Sequence, residues 1–94
     1  MTDTPSLTLI IYRRPGCHLC DDAETLLRDE LAQRARAGLR PIAIEHVDVS
    51  SHPELESRYH RTIPVFAIGD VEAKLVTSGR HVRDFLERAA PNPS

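Results

Sequence analysis

Residues Leu7-Thr8-Leu9-Ile10-Ile11-Tyr12 form a β-branched, apolar run, and Pro15-Gly16 cuts it off just before a stretch with helical periodicity. A run that is apolar on both faces suits a central, buried strand. In the stretch that follows, Ala23, Leu26, Leu27, Leu31 and Ala35 line up as one stripe. Asp21, Asp22, Arg28, Asp29, Arg34 and Arg36 fall outside it and can stay wet. Gly38 stops this helix and Pro41 forbids its resumption. A second strand reads from Ile42 to Val49. Strand, helix and strand in that order demand a parallel pair with a right-handed crossover.

The second half closes the sheet differently. Ser51 and Glu54 have the spacing of a capping box, opening a short helix with Leu55 and Tyr59 on one side. Pro64 to Ile68 is a third strand, Gly69-Asp70 a tight turn, and Val71 to Val76 a fourth strand, which makes an antiparallel hairpin. Ser78 caps a last helix whose apolar face is Val82, Phe85, Leu86 and Ala89. The expected fold is α/β, in the order β-α-β-(short α)-β-β-α, a mixed four-stranded sheet flanked by helices. Residues 1–94 read as one domain with its core at about 7–90, and both ends read as frayed.

Twelve Lys and Arg against fourteen Asp and Glu leave a net charge of −2. That balance gives no extended basic surface for nucleic acid. The apolar run Leu9-Ile10-Ile11, like every other in the chain, falls far short of the about 20 residues a membrane helix needs. Residues 1–6 lack the basic-then-apolar order of a secretory signal, so the chain is expected in the cytoplasm. Thiols are kept reduced there, and a bridge between Cys17 and Cys20 would close too short a loop to add much stability. If they pair, they pair for chemistry.

Two cysteines three apart at the start of a helix face the same way, about one turn apart. The unpaired N–H groups and the dipole of that end favour an anion. Cys17 sits there, so its thiolate is favoured relative to a free cysteine with a pKa of about 8.5. Cys20 lies deeper and keeps more of its proton. Cys17 is therefore the expected nucleophile on a disulfide, and Cys20 the thiol that resolves the mixed disulfide. Arg13 and Arg14, and His18 when protonated, add positive charge near the thiolate, whereas Asp21 and Asp22 oppose it. Two other readings stay open. Cys17 and Cys20 could belong to a metal-binding module, although His46, His52, His60 and His81 give no typical ligand spacing. The chain could also be a non-catalytic interaction domain that retains the thiols. Ile63-Pro64 has an ordinary reading as a strand start, and a sharper one as a cis peptide presenting the Ile63 backbone to an extended substrate.

Tyr12-Arg13-Arg14-Pro15-Gly16-Cys17-His18-Leu19-Cys20 resembles the glutaredoxin pattern Y-x-K-P-x-C-x-x-C, and Thr62-Ile63-Pro64-Val65-Phe66 resembles T-V-P-x-[VI]-F. The chain thus resembles a glutaredoxin-like protein of the thioredoxin superfamily, similar to a small bacterial-type subgroup. The resemblance implies a thiol–disulfide oxidoreductase with Cys17 as nucleophile, Cys20 resolving and Pro64 as a cis-proline. It implies that Arg14 meets the glycine carboxylate of glutathione and that Ile63 contacts the tripeptide's cysteine. It names glutathione as a possible co-substrate, with no cofactor bound.

One segment departs from the pattern. Glutaredoxins carry Gly-Gly and an acidic residue at the start of the last helix, where this chain has Thr77-Ser78-Gly79-Arg80-His81. Arg80 and His81 cannot accept from the ammonium group of glutathione and would repel it when charged, which counts against its use. The thioredoxin pattern is not met either, because no Trp precedes Cys17 and the inner dipeptide is not Gly-Pro. The expected partner is a protein or small-molecule disulfide acting on a monomer. Glutathione or a thioredoxin-reductase-type protein is the candidate electron donor.

Overall fold

The computed structural model describes residues 7–91; the expected frayed ends at 1–6 and 92–94 lie outside the described residues. Four strands and three helices follow one another as β1 (Leu7–Arg13), α1 (His18–Arg36), β2 (Ile42–Asp48), α2 (Pro53–Tyr59), β3 (Val65–Ile68), β4 (Val71–Ala73) and α3 (Gly79–Ala89). The sheet order is β2-β1-β3-β4, with β1 parallel to β2 and antiparallel to β3, and β3 antiparallel to β4. The α/β fold with its mixed four-stranded sheet is the one the residue pattern implies.

Alternation along β1 divides the core. Leu9 and Ile11 point to one face, where Ala23 and Leu27 of α1, Phe66 and Val82, Phe85 and Leu86 of α3 close over them. Phe66 and Phe85 meet edge to face with centroids 6.1 Å apart. Tyr12 points to the other face and joins Val49, Leu55, Tyr59, Ile63 and Val65. Each fully buried large side chain of this kind contributes about 1.5–3 kcal/mol. The second face is only partly covered: Thr8 is exposed and Ile10 half-buried, because α2 is seven residues long and roofs only the end near Tyr12. Ala35 is exposed as well, so the α1 stripe ends a turn earlier than its periodicity implies.

Two boundaries differ from expectation for local reasons. Ser51 and Glu54 make no capping box. The Asp48 carboxylate accepts from Ser50 N–H at 2.9 Å, Ser50 Oγ at 2.6 Å and Ser51 Oγ at 3.3 Å, winding Val49–Ser51 into a 3₁₀ turn. His52 then caps α2 without a side-chain bond, and Pro53 starts it, where the missing N–H costs nothing. Strand β4 stops at Ala73 rather than Val76. Leu75 takes a left-handed φ of 51°, and the chain turns back so that Leu75 N–H donates to Thr62 O at 2.9 Å and Val76 N–H to Pro64 O at 3.2 Å.

Candidate functional site

The carboxyl end of β1 leads into Arg14-Pro15-Gly16-Cys17, closed by a bond from Cys17 N–H to Arg14 O at 3.3 Å. Proline in the second place and a glycine at φ 76° in the third suit a type II turn, which needs a positive φ there. The turn delivers Cys17 as the N-cap of α1. Its Sγ accepts the backbone N–H of Cys20 at 3.1 Å, and its carbonyl accepts from Asp21 N–H at 3.1 Å. Cys17 and Cys20 are joined as a disulfide, with Cα atoms 5.2 Å apart. Cys17 is partly exposed whereas Cys20 is fully buried. One sulfur faces a partner, and the other sits beneath it.

The charged neighbours are largely paired with each other. Arg13 turns to the α1 side, donating to Asp21 at 2.6 Å and reaching Glu24 at 3.4 Å. Glu24 also accepts from Arg28 at 2.7 Å and lies 2.9 Å from His46 Nε2. Burial pushes the Glu24 carboxyl up, but the bonds from Arg28 and His46 outweigh it and hold the group below its ordinary value. Arg14 turns to the other side and is ion-paired with Glu56 of α2. His18 is exposed and has no side-chain hydrogen bond among the described residues.

Strand β3 runs beside β1 with Tyr12 opposite Val65, and continuing that register puts Pro64 and Ile63 beside Arg13 and Arg14. The Ile63-Pro64 peptide is cis. Pro64 is buried and Ile63 half-buried. Tyr59 O receives both Thr62 N–H at 2.8 Å and Ile63 N–H at 3.2 Å, so the donor of the Ile63 backbone is already engaged. Tyr59 in turn stacks on Tyr12 at 4.6 Å and donates its hydroxyl to Glu72 at 2.5 Å. At the start of α3, Ser78 Oγ accepts from His81 N–H at 3.0 Å; Arg80 is exposed and His81 half-buried.

The structure thus gathers Cys17, Cys20, Arg14, Ile63 and Pro64 at the carboxyl end of β1 and the start of β3. Sequence reasoning missed Glu56, Tyr59 and the Leu75–Val76 clasp, each tied to the site by a contact distant in sequence. Among the described residues no group of three His, Cys, Asp or Glu side chains is placed to hold a metal ion. A cavity of about 390 Å³ between α1 and α3, lined by Glu30, Arg34, Leu39, Arg83 and Leu86 among others, contains none of the site residues.

The profile of the Glutaredoxin-like domain (DUF836) matches residues 8–89. A Northeast Structural Genomics target protein from X. campestris is similar at 32% identity, with a TM-score of 0.66 over 86% of this chain and 97% of that one. A malarial protein has a TM-score of 0.59 at 12% identity, over 92% of this chain and 99% of its own. The germline-specific thioredoxin Deadhead (Thioredoxin-1) of Drosophila melanogaster has a TM-score of 0.57 at 17% identity, over 88% of this chain and 80% of its own. These last two resemblances concern the fold alone. No curated protein sequence matches the chain. The match over nearly the whole chain, with a Cys17–Cys20 pair at the head of α1, makes this chain a member of the glutaredoxin-like domain family.

Proposed function

We propose that the chain is a thiol–disulfide oxidoreductase that works in the cytoplasm as a monomer. The observation that carries this reading is the unequal pair: Cys17 Sγ, partly exposed, accepts a backbone N–H at 3.1 Å, with buried Cys20 in bonding reach. In the dithiol form, that N–H and the helix end favour negative charge on Cys17. Its thiolate attacks one sulfur of a substrate disulfide, forming a mixed disulfide and releasing the first substrate thiolate. Cys20 then loses its proton and attacks Cys17 Sγ, which releases the second thiolate and leaves the Cys17–Cys20 bridge. The substrate gains two electrons and two protons, and the protein gives up both.

Regeneration takes two electrons, from one dithiol or from two monothiols such as glutathione. Exposed Arg80 at the start of α3 supports a thioredoxin-reductase-type protein over glutathione, whose ammonium group it would repel. An extended disulfide-bearing segment as substrate would meet half-buried Ile63 through its carbonyl, since its N–H is held by Tyr59 O, with exposed His18 at the rim.

The test is thiol trapping in defined thiol buffers. Redox cycling gives a reversible two-electron loss in the wild type, a stable mixed disulfide in Cys20→Ser, and none in Cys17→Ser. Stoichiometric metal that co-purifies and protects both thiols would overturn the reading. Rapid turnover with glutathione would overturn the choice of donor.

A further inference from the structure

Arg14 precedes the nucleophile by one turn, and its guanidinium is already taken by a carboxylate of the same chain. Glu56 sits on α2 between Leu55, which packs on the Tyr12 side of the sheet, and Tyr59, which holds the Thr62–Ile63 backbone. One Glu56 oxygen pairs with Arg14. The other, Oε1, is shut off from solvent and accepts no hydrogen bond among the described residues. A carboxylate with one oxygen packed away is not a freely rotating surface group, so its place on Arg14 is held by packing as well as charge. Arg13 is occupied in the same way by Asp21 and Glu24. Both arginines of the site are therefore neutralised from within.

We propose that Glu56 is the internal occupant of the anion site at Arg14, and that it sets specificity against disulfides bearing a carboxylate on the α2 side of Cys17. The substrates it leaves are disulfides with neutral or basic flanks at that end. This inference rests on the proposed oxidoreductase reading.

The experiment compares two small disulfides of opposite character, uncharged bis(2-hydroxyethyl) disulfide and the dianion 3,3′-dithiodipropionate. Each is mixed with the reduced protein, and the second-order rate of Cys17 oxidation is followed by quenched mass spectrometry. Removing one carboxylate from a half-exposed pair raises the dianion-to-neutral rate ratio about threefold in Glu56→Gln, the size expected of a partly screened charge. The gain disappears in Arg14→Gln/Glu56→Gln. Glu56→Thr gives the same result if the glutamine variant does not fold. An unchanged ratio in a folded Glu56 variant, or a gain that survives loss of Arg14, overturns the proposal. If neither disulfide oxidises the wild type at all, the oxidoreductase reading fails, and the specificity built on it fails too.

Discussion

The bond from Tyr59 to Glu72 fastens the roof of the second sheet face, and its two ends are differently exposed. Tyr59 is 1% exposed whereas Glu72 lies on the surface of edge strand β4. Tyr59→Phe removes the hydroxyl and keeps the ring stacked on Tyr12. The carboxylate it abandons is rehydrated, so the loss is about 1 kcal/mol, the net value of an ordinary hydrogen bond. Glu72→Ala does the reverse, leaving a buried phenol without an acceptor, and costs about 2 kcal/mol. In a domain of this size, 1 kcal/mol moves Tm by about 4–8 °C. Urea unfolding followed by far-UV circular dichroism measures both variants and the double. The expected order is Glu72→Ala below Tyr59→Phe below wild type in stability, with Tyr59→Phe/Glu72→Ala no worse than Glu72→Ala. Burial, and then the bond to Glu72, raise the Tyr59 phenol above its ordinary value. Its neutral form thus adds stability that is complete below a pH of about 10 and lost as pH climbs through the raised value. Tyr59→Phe flattens that alkaline limb. Equal costs for the two single variants, or an alkaline limb unchanged in Tyr59→Phe, refute the argument.

Three other outcomes follow from single residues. Glu24 has its carboxyl held low, so it adds stability above a pH of about 4.3 that fades as pH falls through its lowered folded value. Glu24→Gln is accordingly less stable than wild type at neutral pH, and the gap closes in acid, as thermal melts across pH will show. Leu75 sits at φ 51° with half its surface exposed, so Leu75→Asn relieves left-handed strain and loses little packing; stability rises by about 0.5–1 kcal/mol, seen as a higher urea midpoint. Ser78→Ala deprives His81 N–H of its acceptor and lowers stability by about 1 kcal/mol in the same assay.

Where one residue decides a local structure, the sequence was legible. Pro15 and Gly16 specify the turn before Cys17, Ser78 specifies the start of α3, and the apolar stripe from Ala23 to Leu31 specifies the buried side of α1. Competition between neighbours hid the rest. Ser51 looks like a helix cap until Asp48, three residues earlier, claims it. Val71 to Val76 looks like one strand because the bonds that bend it at Leu75 come from Thr62 and Pro64. The Arg14–Glu56 pair spans 42 residues and leaves no periodic trace, since either charge alone reads as a solvated surface group. The site's chemistry was therefore visible in Cys17 and Cys20, whereas its electrostatics needed the fold.

The position of β1 in the sheet has a consequence for how the chain is made. Strand β1 is made before the strands it pairs with, yet it is central, with β2 on one side and β3 on the other. Its Leu9 and Ile11 face is closed by Phe85 and Leu86 of the last helix. A nascent chain long enough to expose Cys17 and Cys20 therefore lacks much of the core beneath them, and contacts of such long range form late. During synthesis the two thiols are displayed on an unfinished scaffold.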